Sequence, residues 1–593
     1  MPAAPAIYPA SIAVLPFVNN SPDPENEYFS DGVSEEIINA LAKVRGLKVI
    51  ARTSSFAYKN KAIDVRDIGQ QLQVANILEG SVRRAGRKVR IAAQLVSARD
   101  GVQLWARRFD RELKDIFELQ DEISLLIADQ IRAQYGHFEL QDQLIRPPTK
   151  NIEAYDLYLK ARYNHLRWDN PGITNAIAFY KECTLMAPNF ALPYFGLAYC
   201  FAMRASFGGF HELLEVAQGY LEKGFSIDEN AGPGHFSKAT LAFWGRWSFA
   251  EGQAAYRQAL AVNPGDTEAE EGLAELYTAV GDFEQALRHA RHILSTNPLS
   301  ANHHYTLANI HYLSGDYQEA LACAATAMEV KPGFTHAVGL TQLCYILLGD
   351  WQGLERFLAQ AECPEQPEAC RAVYQLFHGQ RLEGEVPAVQ PSAQVDLFTW
   401  ELYLKLYLGE EEEAMDLLEE KVGQRIGQYI NFQNMPLLKP LHAHARFRAL
   451  VEKVFPQGLL SKEPEPAARP RAALMEEAEW QPVLLQLKAV MKKDQLYQDA
   501  SLSLRSLAER LGITANKLSW LLNEQLGQNF NEYVNTLRLQ LFQELALKPG
   551  NAHLTLLGLA YESGFNSKTV FNEFFKKSVG LTPRAWVKKQ QQE

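Results

Sequence analysis

The spacing of apolar residues changes twice along this chain. In the first 140 residues the apolar runs are short and strand-like: SIAVLPF, KVIA, NILEGSVRR, VRIAAQLVS and VQLWARRF. Each has the length and β-branched content of a buried or half-buried strand. Between them, helical spacing predicts a helix near Val65–Leu72 and another from about Asp115 to Tyr135. The loop VNNSPDPENEYFSDG leads to a helix expected to open at Ser34, with Glu35 and Glu36 in its first turn. The expectation is a mixed α/β unit with a βαβ start and a final hairpin. Asp31 and Gly32 would sit just before that helix, either as a plain turn or as an anion seat. Arg83, Arg84, Arg87, Lys88 and Arg90 cluster around a hairpin turn, as a solvated turn or a contact for acidic partners.

From about residue 150 the spacing becomes helical, and a repeat appears. Asn263-Pro264, Asn297-Pro298 and Lys331-Pro332 recur every 34 residues, and Gly281-Asp282, Gly315-Asp316 and Gly349-Asp350 keep the same period. An aromatic residue follows each Gly-Asp, and Ala286-Leu287 and Ala320-Leu321 follow in step. Glycine-aspartate between two helices and Asn-Pro after them describe a repeated helix–turn–helix pair. The period and punctuation resemble tetratricopeptide repeats, which stack into an α-solenoid. Weaker copies lie around Tyr180–Pro188 and Gly245–Phe249, and helices near 397–425 continue the stack. The concave side is expected to hold a protein or peptide partner, or to act only as a spacer. Residues 456–482, rich in Pro, Glu and Ala, read as a linker.

Helical spacing returns after residue 483 in two similar units. In SLRSLAERLGITANKLSWLLNEQLG (503–527), Leu504, Leu507, Ala508 and Leu511 bury one helix. Gly512 stops it, Thr514 caps the next, and Leu518, Leu521 and Leu522 bury that one. In LTLLGLAYESGFNSKTVFNEFFKKSVG (554–580), Gly564 is the stop, Asn566 or Ser567 the cap, and Val570, Phe571, Phe574 and Phe575 the buried face. A helix of about Asn531–Leu547 joins the units, and Thr582-Pro583 opens a last one.

Charge separates the same three regions. The chain of 593 residues carries −11 overall, yet residues 485–593 hold 14 Lys+Arg against 9 Asp+Glu. Residues 1–150 are nearly neutral, with 20 against 19, so the acidity lies in the middle. A basic end on an acidic body points to nucleic acid as a partner of that end. The six cysteines all fall in the middle section without CxxC spacing, so free thiols are expected and a zinc site is not. No basic leader or run of 18 apolar residues occurs, which reads as a cytoplasmic chain without a membrane span.

Two further resemblances follow from quoted segments. SIAVLPFVNNSPDPENEYFSDGVSEEIINAL, VIARTSSFAYKNK and ILEGSVRRAGRKVRIAAQLVSARDGVQLWARRFDREL resemble the TolB-like domain that often precedes tetratricopeptide arrays, over roughly 10–125. That family's association with adenylate cyclases does not carry a cyclase domain into this chain. Neither GxxxxGK[ST] nor a GxGxxG after a strand occurs, and Asp121 and Glu122, neighbours on one helix, point apart rather than sharing a metal pair. No catalytic residue, metal or cofactor is therefore expected. LSWLLNEQLGQNFNEYVNTLRLQLFQELAL, LAYESGFNSKTVFNEFFKK and GLTPRAW resemble the AraC/XylS-type DNA-binding domain over about 485–590, including Gly564-Phe565-Asn566-Ser567 and Gly580-Leu581-Thr582-Pro583.

The expected architecture is multidomain: a TolB-like α/β domain (8–140), an α-solenoid of tetratricopeptide repeats (150–455), a linker (456–482) and an all-α tandem helix–turn–helix domain (483–593). The AraC/XylS resemblance implies that the second helix of each unit enters the major groove of double-stranded DNA. By position the readers are Asn516, Lys517, Ser519 and Trp520 in the first unit and Lys568, Thr569, Asn572 and Glu573 in the second. Lysine suits guanine or phosphate, asparagine suits adenine, and glutamate suits the cytosine amino group. Trp520 falls on the exposed arc, against a thymine methyl or sugar edge, or packed on a neighbouring helix. The function expected is a sequence-specific transcriptional regulator with a sensor or interaction module in front. The alternative is a repeat-based scaffold without specific DNA binding.

Overall fold

The computed structural model describes residues 8–141, 143–166, 170–382, 385–389, 398–461, 474–551 and 553–591. Six strands, β1 (Tyr8–Val14), β2 (Val18–Asn19), β3 (Lys48–Val49), β4 (Val74–Ala85), β5 (Lys88–Ser97) and β6 (Gln103–Glu112), make one sheet near the N-terminus. Its order is β3-β1-β4-β5-β6, with β2 beside β4. β1 runs parallel to β3 and β4, and β4, β5 and β6 form an antiparallel meander. Alternation along β1 explains why it is apolar at successive positions. Ile12 and Val14 enter the core under the helices Glu27–Ala42 and Ile116–Tyr135. Ala13 and Leu15 enter a second cluster with Ile68 and Leu72 of the helix Val65–Leu72. A strand covered on both faces loses the polar alternation of a surface strand. Edge strand β6 is covered instead by charge, with Arg107, Arg108 and Arg111 exposed.

The helix expected to open at Ser34 begins at Glu27, so Ser34 lies inside it and is fully buried. Its hydroxyl donates to Ser30 O at 3.0 Å and accepts from Phe17 N at 2.9 Å, which ties the helix to the strand end instead of capping it. Asp31 and Gly32 are helical too, and Asp31 pairs with Lys59 Nζ at 2.7 Å, so no open anion seat exists there. In the arginine-rich hairpin, Arg84 is paired with Asp156 at 2.6 Å and Arg90 with Asp110 at 2.6 Å.

Paired antiparallel helices form the solenoid. Gly281, Gly315 and Gly349 end inner helices with φ of 82°, 94° and 70°. The next residue in each case, Asp282, Asp316 or Asp350, caps the following helix by accepting from the backbone N–H three residues on. One dipeptide thus ends one helix and starts the next. The inner helices Thr267–Val280, Ala301–Ser314 and Thr335–Leu348 line the concave side. Further helices at Trp400–Tyr407 and Glu411–Gly423 continue the chain. Short turns after them fold back, and Gln433 and Asn434 donate to Ala279 O (2.7 Å) and Thr278 O (3.0 Å). The expected linker lies partly outside the described residues, and its last residues join the helix Glu477–Lys493. All six cysteines are free.

The sheet unit sits against the solenoid. Ala51 N donates to Thr296 O at 2.9 Å, Ser54 N to Asn297 Oδ1 at 3.0 Å, and Arg162 pairs with Glu35 at 2.9 Å. Between them is a cavity of about 3840 Å³, lined by Glu35, Arg162, Glu268, Glu275, His303 and residues of the C-terminal module. Burial, opposed by Arg162 and reinforced by Asp266, pushes the Glu268 carboxyl up to about 7.

An ordinary carboxyl ionises earlier in the unfolded chain, so stability falls as pH rises from about 4.5 to about 7 and stays lower above it. Glu268→Gln removes that penalty. It is expected to stabilise the chain by about 3 kcal/mol at pH 8 and by almost nothing at pH 4. Urea unfolding at the two pH values checks this, and an equal effect at both would show that Glu268 ionises normally in the fold.

Candidate nucleic-acid interface

Each half of the C-terminal module is built by local capping. Ser503 and Ser506 cap the helix Leu504–Arg510 reciprocally. Gly512 then takes the left-handed backbone at φ 68°, and Thr514 accepts from Lys517 N at 3.3 Å to open Ala515–Trp520. Asn529 and Glu532 form a capping box for the connecting helix Phe530–Leu547. Thr555 caps Leu556–Glu562, Gly564 turns the chain at φ 97°, and Lys568–Val579 follows. Ser567 stands at the start of that last helix without a side-chain cap bond. Thr582 caps Pro583–Gln590, with proline in the first turn.

The connecting helix holds both halves. Phe542 meets Phe571 at 4.7 Å and Phe575 at 5.6 Å between ring centroids, and Trp586 closes over Phe575 at 5.8 Å. On the same helix Arg538 is 8% exposed and donates to Tyr497 O (2.6 Å), Asp499 O (2.9 Å) and Asn535 Oδ1 (3.3 Å). Burial lowers its guanidinium to about 10, with Asp499 opposing the shift. The loop that Arg538 grips also backs Gly564, where a Cβ would stand 2.4 Å from Tyr497 O. Helical spacing did not single out Arg538. Its one signal is a long cation among the leucines of TLRLQL.

The two sets of expected contact residues have different surroundings. In the second unit Lys568, Thr569, Asn572 and Glu573 are all exposed along one face, while Phe571 and Phe575 are buried behind them. Lys576 extends the same face. In the first unit Asn516 and Lys517 are half-buried, and Lys517 Nζ lies 4.0 Å from Glu479. Ser519 and Trp520 are 2% and 5% exposed, which corrects their placement on an open arc. Trp520 packs in one apolar cluster with Leu518 and Leu521, joined there by Ala133 of the sheet unit's helix Ile116–Tyr135.

Asn516 explains the burial. Its amide oxygen accepts from Leu140 N at 3.1 Å and from Arg132 Nη1, and its amide nitrogen donates to Leu140 O at 2.8 Å. Nearby, Asp129 pairs with Arg505 at 3.3 Å, and Asn529 Nδ2 donates to Gln134 O at 3.0 Å. An asparagine amide reads adenine by one donor and one acceptor side by side. The Leu140 peptide N–H and C=O present that same pair and occupy the amide. The first unit is thus docked on its own chain while the second is open.

Three segments match family models. Residues 507–589 match a helix-turn-helix domain, residues 8–126 the second domain of HilA/YgeH-like transcriptional regulators, and residues 248–310 a tetratricopeptide repeat. The chain therefore joins an AraC-type helix–turn–helix domain and a HilA-like regulator domain through tetratricopeptide repeats. It is 38% identical over 239 residues to a Rhizobium meliloti protein described as "Putative adenylate cyclase 3", covering 40% of each chain. The chain thus spans less than half the length of that relative. Among solved structures, the type IV pilus biogenesis factor PilW shares 18% identity over 35% of this chain and 92% of its own, at a TM-score of 0.30. A human IFIT1 dimer shares 14% over 57% and 77%, at 0.33. Among the described residues no helix is long and apolar enough to cross a membrane, and no group of three or more His, Cys, Asp or Glu is placed to hold a metal.

Two glycines separate backbone strain from packing. Gly512→Ala meets nothing within 4 Å and pays only for the left-handed backbone, about 1 kcal/mol. Gly564→Ala adds a clash with the backbone of 497–498, for an expected loss of about 3 kcal/mol. Hydrogen exchange of the 556–580 amides in the full chain reads both, and equal small losses would show that the 497–499 loop does not press on the second unit.

Proposed function

We propose that this protein is a cytoplasmic, sequence-specific transcriptional regulator without catalytic activity. In this reading the sheet unit, TolB-like in sequence, and the repeat array form its sensing or protein-binding part. The domain limits 8–140, 150–455 and 483–593 belong to this proposal. The single observation that carries it is the open face Lys568, Thr569, Asn572 and Glu573 on a helix whose opposite side packs into the core through Phe571 and Phe575. Such a face is free to meet base edges and phosphates.

Asn516, Lys517, Ser519 and Trp520 contribute only after the first unit leaves Ala133 and Leu140. The docked chain then binds DNA through one unit, and the released chain through two successive major-groove segments. The scaffold reading has one observation in its favour, since the first unit already serves as a protein-docking surface.

Selection of sites from a random DNA pool, followed by anisotropy titrations at several salt concentrations, decides between them. A preferred site with a steep salt slope is expected for the full chain. Lys568→Ala with Asn572→Ala weakens it by roughly 30-fold, the loss of one phosphate or guanine contact and one adenine contact. Asp129→Ala with Arg132→Ala, both outside the DNA-binding module, tightens it by roughly tenfold as the first unit is released. Absence of salt-sensitive binding in every variant overturns the regulator reading in favour of the scaffold.

A further inference from the structure

Positive charge in the sheet unit is concentrated at one end of its sheet. Residues 83–114, from the far end of β4 to just past β6, hold ten Lys+Arg against three Asp+Glu, in a chain of net charge −11. Per residue that excess is larger than the one in the C-terminal module.

Strand register shows where those charges lie. Arg83 stands directly opposite Arg90, and Arg90 opposite Asp110. One row along, Ser81 stands opposite Ala92, and Ala92 opposite Arg108. These residues share one face, because Val82, Ile91 and Phe109, which alternate with them, are buried in the core on the other. The apolar cluster under the helix Val65–Leu72 covers this face along β4 only as far as Ile77. Beyond it Arg83, Arg90 and Arg108 are exposed among the small side chains of Ser81, Ala92 and Ala106. A groove of about 920 Å³, which Lys61 also lines, opens beside them.

The two faces of the meander differ in how their cations are matched. On the helix-covered face Arg84 pairs with Asp156 at 2.6 Å, and Arg107 and Arg111 pair with Glu122 at 3.4 and 3.1 Å. On the open face one carboxylate serves two guanidinium groups: Asp110 accepts from Arg90 at 2.6 Å and lies 3.8 Å from Arg108. Among the described residues Arg83, and Arg87 at the turn, form no ion pair. Like charges directly across two strands are destabilising, so the Arg83–Arg90 pair works against the fold. An external anion relieves that repulsion.

The rest of the face selects the kind of anion. Protein partners bury apolar or aromatic side chains at the centre of an interface, and no large apolar side chain between 83 and 114 is among the exposed ones. Unpaired bases stack on aromatic residues, whereas Trp105 and Phe109 pack on the opposite, core side. Guanidinium groups above a flat floor of small residues suit phosphate oxygens, which they bind in pairs.

We propose that the arginine face of β4, β5 and β6 holds the phosphate backbone of double-stranded DNA, as a sequence-independent contact separate from the helix–turn–helix units. The choice of DNA as the polyanion rests on the regulator reading. The helix Ile116–Tyr135 sets the reach. It starts beside the hairpin, where Leu113 N donates to Arg87 O at 2.7 Å, and its far end carries Ala133 and Gln134 against the docked module. Its 20 residues span about 30 Å, close to one turn of duplex.

Anisotropy titrations of the full chain on a random-sequence duplex, at several salt concentrations, test this. Arg83→Glu with Arg87→Glu is expected to lower the salt slope by about two and to weaken binding by roughly tenfold or more. The change at position 83 sets a carboxylate opposite Arg90, so the variant unfolds in urea no earlier than the unaltered chain. Arg83→Lys with Arg87→Lys keeps the charge and the slope. Preference for a selected site over random sequence is the same in all three chains, since backbone contacts carry no sequence information. DNA binding by the unaltered chain with the same slope and affinity in the glutamate variant overturns the proposal and leaves the regulator reading standing. Absence of salt-sensitive DNA binding in every chain removes both. In that case saturable binding of polyglutamate, lost in the glutamate variant, assigns the face to an acidic protein instead.

Discussion

A buried guanidinium ties the sheet unit to the DNA-binding module. Arg132 is 2% exposed, with Asp129 at 2.6 Å and Asn516 at its other nitrogen. Its two terminal nitrogens are engaged while Nε has no partner among the described residues, and for a charge taken out of water to this degree removing one partner is far more costly than the pair is stabilising. The docked arrangement is therefore specific rather than merely sticky. Asn516 is chosen over any apolar residue because it alone offers Arg132 an acceptor and Leu140 both halves of an amide pair. The apolar contact of Ala133 with Trp520 and Leu521 then excludes water from that network.

That constraint explains what could be read from the residues and what could not. Repeat boundaries were legible because Gly281-Asp282 and its two copies carry their own backbone requirement, a left-handed residue followed by a cap. The strands and the helix Val65–Leu72 were legible because period and turn chemistry agree there. Ser34 misled because a serine before two glutamates has the same sequence signature whether it caps a helix or bonds back one turn inside it. The helix start at Glu27 was hidden by the polar residues of the preceding loop.

For the candidate site, helical spacing distinguishes a helix's own core from everything else. It places Phe571 and Phe575 inside and Lys568 and Asn572 outside, because the second unit meets no other part of the described chain on that face. It assigns Trp520 to the outside by the same rule, since nothing in ITANKLSW encodes a neighbour as distant in the chain as Ala133. Arg538 escaped for a related reason: its partners are backbone carbonyls, which leave no trace in composition.

In the proposed reading, the docked contact also sets the scale on which an effector would act. Its hydrogen bonds to Leu140, Gln134 and Arg132 contribute roughly 1 kcal/mol each after exchange with water, and Ala133 adds a small apolar area. The sum is a few kcal/mol. That is close to the roughly 5.5 kcal/mol of differential affinity that moves a two-state equilibrium from almost fully docked to almost fully released. A tighter interface would be beyond the reach of one ligand, and a looser one would hold nothing back. The acidic solenoid adds a term of the same sign, since about 17 net negative charges beside a basic module oppose the approach of a phosphate backbone until that module moves away. Short-range amide pairing and long-range charge therefore favour the same docked state, and the amide pairing acts through the first unit alone, leaving the polar face of the second unit open.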